Sequence, residues 1–281
     1  MKPASFAYVR AETAEHVVEA LREHGDDAKV LAGGQSLVPA LNMRLVRPSA
    51  LVDLNFVQGL RGLVAENGYV RIEALVRQAG AERSQIVLDG CPLLADTLPL
   101  VGHFVTRNRG TVCGSVAHAD ASAELPLVLV VLGGAVVTSR RTIPAADFFV
   151  THFTTVLEPD ELVVATLWPR RKPGEGSALE EFAPRHGDFA LASAACMLRV
   201  DDGRVVEARL AVGSVTDRPE LIDASGLVGQ AVDPRVAQAL AADAAAATDP
   251  TSHLHGSAEY RRRLVAVLVA RAVTRAWEAA A

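Results

Sequence analysis

Lys29-Val30-Leu31-Ala32-Gly33-Gly34-Gln35-Ser36-Leu37 is the stretch of this chain best equipped to hold an anion. An apolar strand runs into two glycines and a serine. The helix-compatible run Leu37-Val38-Pro39-Ala40-Leu41 follows. Glycine admits backbone angles that a Cβ forbids, so the chain can turn sharply and approach a ligand closely. Ser36 can cap the helix, and Pro39 is tolerated in a first turn that donates no intrahelical bonds. Free N–H groups at a helix start suit a phosphate or pyrophosphate. A strand–turn–helix that needs small residues only for packing has the same appearance, and this stretch alone does not separate the two.

A second stretch adds weight to the ligand reading. Arg109-Gly110-Thr111-Val112-Cys113-Gly114-Ser115-Val116-Ala117-His118-Ala119-Asp120 again mixes small, hydroxyl and glycine residues, and Ala121-Ser122-Ala123-Glu124-Leu125-Pro126 follows it. Two such loops can grip the two ends of a dinucleotide. A Rossmann dehydrogenase is disfavoured, because no Gly-x-Gly-x-x-Gly follows the first strand.

Composition narrows the partners. The chain has 281 residues, half of them hydrophobic, which favours two or three modest domains over one core. Its 28 basic and 33 acidic residues are spread along it, with no basic stripe, so nucleic acid and anionic membrane are poor partners. Cys91, Cys113 and Cys196 are far apart. They cannot ligate an iron–sulfur cluster by themselves, and they fit a reducing cytoplasm better than a disulfide framework. Lys2-Pro3 opens no signal peptide, and the longest apolar runs are too short to span a bilayer.

The elements that must position these residues are legible in part. Phe6–Val9 reads as an edge strand. Thr13 can cap a helix over Ala14–His24, whose Ala14, Val17, Val18 and Leu21 form one stripe, and Gly25 closes it. Ala50–Asn55 reads as a buried strand, and Asn67-Gly68 joins two short strands in a hairpin. Val76–Val101 is helical, broken by Gly90 and Pro92. Glu124–Leu132 is helical again, and strands are expected at Gly133–Val137 and Glu161–Trp168. Arg170–Ser177 reads as a linker or as a long hairpin loop. Strands at Ala178–Phe182, Leu191–Val200 and Arg204–Val215 precede helices at Arg235–Ala247 and Ala258–Glu278, which argues an α+β domain. Arg261-Arg262-Arg263 is expected on a solvated or interface face.

Several motifs in this order resemble the flavin-binding subunit of the molybdenum hydroxylases, of carbon monoxide dehydrogenase and xanthine dehydrogenase type. They are Ala32–Leu37, Leu51-Val52-Asp53-Leu54, Arg109–Pro126, Asp147-Phe148-Phe149 and Gly187-Asp188-Phe189-Ala190, and they cover almost the whole chain. The resemblance implies an α+β protein in three parts. Two FAD-binding subdomains of the vanillyl-alcohol-oxidase type, about 1–55 and 56–175, hold FAD between them. A C-terminal α+β domain, about 176–281, with an antiparallel sheet and helices, covers the flavin side. It also implies two partners, a large molybdopterin-binding subunit and a small subunit with [2Fe–2S] clusters, as a dimer of heterotrimers with an external electron acceptor.

Carried over residue by residue, Ala32, Gly33, Gly34, Gln35 and Ser36 contact the FAD pyrophosphate. Thr111, Val112, Cys113, Gly114 and Ser115 match the second loop, with Cys113 in place of a glycine. Glu124 stands where relatives often carry an aspartate toward the sugar or adenine. Val101 and Val163 match apolar positions against the cofactor, although each also reads as ordinary core. Phe189 aligns with an aromatic that shields the isoalloxazine. Glu181 stands where some relatives have a lysine, and Arg185 is the nearest basic replacement. His118 and Asp120 are read as loop-structuring groups, since an electron-transfer flavin abstracts no proton from substrate; no catalytic residue and no metal ligand is assigned. The implied function is electron transfer from the clusters through FAD to the acceptor, in the cytoplasm. A stand-alone flavin oxidoreductase and an assembly protein that has lost FAD are the alternatives.

Overall fold

The computed structural model describes residues 2–280. Its first unit holds β1 (Ala7–Arg10), α1 (Ala14–His24), β2 (Ala28–Leu31), α2 (Leu37–Asn42) and β3 (Ala50–Asp53). The three strands are parallel in the order β1-β3-β2, so β1 is an edge strand. Thr13 Oγ1 accepts from the His16 N–H at 3.1 Å, and Gly25 ends α1 at φ +61°. Leu31 lies opposite Asp53, so β2 and β3 release the chain side by side at their carboxyl ends. Crevices at the carboxyl ends of parallel strands are where such sheets take ligands.

The second unit begins with the hairpin β4 (Leu63–Glu66) and β5 (Tyr69–Glu73). Asn67 and Gly68 both have positive φ, +49° and +82°, as a two-residue turn between twisted strands requires. The helices α3 (Gln78–Glu82), α4 (Gln85–Gly90), α5 (Pro92–Thr97), α6 (Phe104–Arg107), α7 (Val112–His118) and α8 (Glu124–Val131) follow. Next come β6 (Ala135–Thr138), β7 (Thr142–Pro144), α9 (Ala145–Phe148), β8 (Phe149–Thr151), β9 (Thr154–Thr155) and β10 (Val163–Pro169). An antiparallel sheet runs β4-β5-β10-β6-β7.

The third unit is the antiparallel sheet β11 (Glu175–Phe182), β12 (Ala192–Asp201), β13 (Arg204–Gly213) and β14 (Glu220–Ile222), with α10 (Pro234–Ala247) and α11 (Ala258–Ala280). Successive side chains of a strand point to opposite faces. On β12, Ala194, Cys196 and Leu198 join the core under α10 and α11, whereas Ala195 and Met197 join the core of the second unit. A strand buried on both faces reads as a continuous apolar run, which is why Leu191–Val200 was legible. The protein is therefore α+β throughout.

All eight residues of α8 are buried. A helix apolar on every side belongs in the interior, and this one sits between its own unit and the third sheet.

Four sequence expectations need correction. The second glycine-bearing stretch is not a loop: Val112–His118 is helix, because Thr111 caps it and its small residues permit close packing. Arg261 is buried rather than solvated, and its guanidinium donates to the carbonyls of Leu191, Thr251 and Ser214. Pro169 is the last residue of β10 instead of lying beyond it. The short strand β14 has too few residues for a period to show, and it was missed.

Leu127 on α8 is fully buried and packs toward Gly213 on β13. Leu127→Ala should lower the stability of the flavin-free chain by about 2–5 kcal/mol, read from urea unfolding. Leu88→Ala, at a half-exposed position, should cost under about 0.5 kcal/mol.

Candidate functional site

β2 delivers Ala32 at the carboxyl edge of the first sheet, and the chain turns through Gly33 and Gly34. Gly34 has φ +70°, and its carbonyl accepts from Val38 N–H at 2.9 Å, starting α2. Ser36 occupies the cap position but has helical angles and makes no side-chain cap bond, contrary to the sequence expectation. Its hydroxyl is thereby left for the cleft.

The second stretch is pinned to the first unit by close backbone approach. A Cβ on Gly33 would stand 2.5 Å from the Arg109 carbonyl oxygen and 2.7 Å from Gly110 Cα. No side chain fits there, so the two stretches share one backbone-lined wall. Gly110 is held from the other side: its carbonyl accepts from Gln78 N–H at 2.9 Å. Thr111 then starts α7, its Oγ1 accepting from Gly114 N–H at 3.0 Å.

These groups line a cleft of about 560 Å³, within the range of a large small-molecule site. Ala32 to Ser36, Val101, Thr111, Cys113, Gly114, Ser115, Glu124, Val163 and Phe189 all border it. Val112 does not; it is fully buried beneath α7, where it serves packing. Cys113 contributes little surface. Its Sγ lies 3.3 Å from the Ile72 carbonyl oxygen, and burial pushes the thiol up to about 12, which leaves it unreactive. Phe189 comes from the third unit and is 60% exposed. Its loop is seated by Gly187, at φ +84°, against His103 and the Gly102 carbonyl. Arg185 and Glu181 do not border the cleft.

A further arm of the cleft was not anticipated. Lys29 and Val30 of β2 face Leu157, Glu158, Pro159 and Leu162 of the segment before β10. Pro159 within Leu157–Leu162 was the one available signal, since it breaks the strand pattern before Val163. Asp160 receives Arg22 of α1 at 2.8 Å and pairs with Arg140, so this arm is tied to the first unit. Behind it Glu161 is held down at about 2 by hydrogen bonds from Arg141, against the pull of burial and with help from Thr138.

Ala32–Ser36 and Thr111–Ser115 carry no carboxylate. Glu124 stands at the start of α8, where burial pushes its carboxyl up to about 7; nearby Glu181 and Asp120 add to the rise. Burial alone raises Glu181 to about 7, and its Oε2 is buried without a hydrogen-bond partner. Asp120 Oδ1 accepts from Ser122 N–H at 2.9 Å, and His118 stacks on Phe153 at 4.9 Å. Burial lowers the His118 pKa, so its neutral form prevails. These bonds shape the turn between α7 and α8.

The fold and cleft define a nucleotide-binding α+β flavoprotein domain followed by a second α+β domain. Residues 4–171 match the family described as FAD binding domain in molybdopterin dehydrogenase, and residues 177–276 match the CO dehydrogenase flavoprotein C-terminal domain. The chain belongs to the family of FAD-binding medium subunits of molybdenum hydroxylases. It is 39% identical to the 6-hydroxypseudooxynicotine dehydrogenase complex subunit alpha of Paenarthrobacter nicotinovorans, over 98% of this chain and 96% of that one. It is 38% identical to the nicotine 6-hydroxylase medium subunit of the same organism, over 98% and 99%. The solved carbon monoxide dehydrogenase of Hydrogenophaga pseudoflava that lacks the Mo-pyranopterin moiety superposes with a TM-score of 0.97 at 33% identity, covering 100% of both chains. The protein is thus an oxidoreductase component, and its cofactor is FAD. The residues fit that cofactor: the small residues Gly33, Gly34, Gly114 and Ser115 line a cleft of this size, and the Ser36 hydroxyl beside them makes no cap bond. Among the described residues no helix is long and apolar enough to cross a membrane.

Glu124 carries a pH signature. Its folded pKa lies above the ordinary 4.5, so the folded chain keeps a proton that the unfolded chain has released. Stability of the flavin-free chain should therefore fall as pH rises from about 4.5 through about 7. Glu124→Gln should remove its own share of that fall, leaving the share that comes from Glu181, and stabilise the chain at pH 8 by about 1–3 kcal/mol. Urea unfolding at pH 5 and pH 8 checks it; parallel pH profiles for the two proteins would refute the assignment.

Proposed function

We propose that this chain is the electron-transfer subunit of a molybdenum hydroxylase, taking electrons from the [2Fe–2S] clusters of a small partner subunit and passing them to an external acceptor. A large molybdopterin-binding subunit would hydroxylate the substrate, in a cytoplasmic dimer of heterotrimers. The observation that carries the reading is the pair of small-residue stretches in backbone contact along one cleft. The sequences of named dehydrogenase and hydroxylase subunits support it over nearly their full length.

When bound, FAD supplies storage of two electrons and their transfer one at a time. This chain binds and orients it. Ala32 to Ser36, with Thr111, Gly114 and Ser115, present backbone and hydroxyl groups to the diphosphate. Glu124 offers its carboxyl toward the sugar or adenine. Val101 and Val163 exclude water along the cleft, and Phe189 supplies an aromatic face from the third unit.

Ser115→Glu tests this placement. Gly114 is a poorer choice, because a Cβ there would meet Thr111 Oγ1 at 2.5 Å and break the α7 cap. A glutamate at Ser115 adds negative charge on the cleft face of α7 with the cap intact. FAD affinity should fall at least about 100-fold while far-UV circular dichroism is unchanged. The visible spectrum of the native complex, with mass spectrometry of co-purifying chains, tests the larger reading. A flavin band with a molybdenum subunit and an iron–sulfur subunit is expected; a colourless, solitary chain would overturn it.

A further inference from the structure

Two side chains outside the cleft join the stretches that line it. Asn55 follows the end of β3, beside the point where β2 releases Ala32. Its Nδ2 donates to the Ala32 carbonyl at 2.8 Å and to Asp53 Oδ1 at 2.7 Å. Its Oδ1 accepts from the Arg77 guanidinium at 2.6 Å. Another nitrogen of the same guanidinium donates to the Arg109 carbonyl. A continuous path thus runs from the carbonyl of Ala32, through Asn55 and Arg77, to the carbonyl of Arg109.

The path is anchored at its far end. Asp53 Oδ1 also accepts from Asn55 N–H at 2.9 Å, and Oδ2 accepts from Tyr8 at 2.7 Å. Burial opposes the Asp53 charge, but the bonds from Tyr8 and Asn55 and the field of Arg77 outweigh it and lower the pKa. Asn55 is therefore fixed in one amide orientation, with its donor toward Ala32 and Asp53 and its acceptor toward Arg77. Arg77 is anchored too: its backbone pairs with Thr111, the residue that caps α7.

We propose that Asn55 and Arg77 are positioning residues for FAD, setting the separation of the two diphosphate-facing stretches before the cofactor enters. Neither touches the cleft. Each acts through a backbone carbonyl of its stretch, Asn55 through that of Ala32 and Arg77 through that of Arg109. Gly33 sets how closely the stretches approach, and this bridge keeps them from drifting apart. Preorganised donors bind more tightly because ordering costs are met in folding. The inference rests on FAD occupying this cleft.

The test is titration of the flavin-stripped full chain with FAD, ADP and riboflavin, for wild type, Asn55→Ala, Arg77→Met, the double variant, Arg77→Lys and Leu88→Ala. FAD and ADP carry the diphosphate and riboflavin does not. Asn55→Ala and Arg77→Met should each weaken FAD and ADP by about 10–100-fold and leave riboflavin within about 3-fold, the size of effect seen when groups that orient direct ligands are removed. The double variant should be no weaker than the worse single one, since one bridge is broken once. Arg77→Lys retains a donor for one carbonyl and should recover part of the loss. Leu88→Ala, on α4 and away from both the bridge and the cleft, should bind FAD as wild type does.

Wild-type FAD affinity in either single variant, additive losses in the double variant, or an equal loss for riboflavin would overturn the proposal. Failure of wild type itself to bind FAD would instead overturn the placement of the cofactor. Should Arg77→Met fail to fold, the ratio of FAD to riboflavin affinity in Arg77→Lys carries the decision: a ratio below wild type supports the bridge, and an unchanged ratio refutes it.

Discussion

The backbone of Arg109-Gly110 fills the space that a side chain at position 33 would need. Much else in the molecule follows from that contact. It requires the parallel sheet of the first unit to end against the helices of the second. It turns two short small-residue stretches, far apart in the chain, into one surface. Neither α2, with six residues, nor α7, with seven, is long enough to be stable alone. Each is held by its packing, and the contact at Gly33 keeps their first turns along the same wall.

The two sides of the cleft differ in chemistry because they are built differently. The small-residue wall consists of a turn at the carboxyl end of β2 and of the start of α7, where larger side chains would obstruct a close approach. The opposite region belongs to α8, whose apolar surface is buried on every side. Glu124 is the one charged residue of that helix and sits at its first position. Burial there raises the carboxyl pKa, and the neighbouring Glu181 and Asp120 reinforce the effect. The third unit contributes through a loop and not through its sheet, so Phe189 reaches the cleft while α10 and α11 remain on the far face of β12.

Local signals in the sequence were reliable where one short-range cause decides the outcome. Thr13 before an amphipathic stripe and Asn67-Gly68 between alternating strands each specify their element, one through a cap and the other through a pair of positive φ angles. The two small-residue stretches stood out because glycine and hydroxyl residues cluster there, and both border one cleft. Position in three dimensions was less accessible. Arg261 looked like one of three exposed cations in a row, yet the helical period turns it inward while Arg262 and Arg263 face out. Its burial depends on three carbonyls from residues 10 to 70 positions away, which no local pattern announces.

Asn55 and Arg77 escaped the sequence reading for the same physical reason. An asparagine after a strand reads as turn chemistry, and an isolated arginine reads as solvated surface. What brings them together is the parallel register that sets Leu31 beside Asp53, so that the Asn55 side chain, two residues on, reaches the Ala32 carbonyl. β3 is buried along its whole length between β1 and β2, and its pairing with β2 sets that register. The same strand pairing therefore also brings the Ala32 carbonyl within reach of an amide. The proposed bridge is in this sense inherited from strand pairing: it acts on backbone carbonyls, and the sheet behind them sets where that backbone lies.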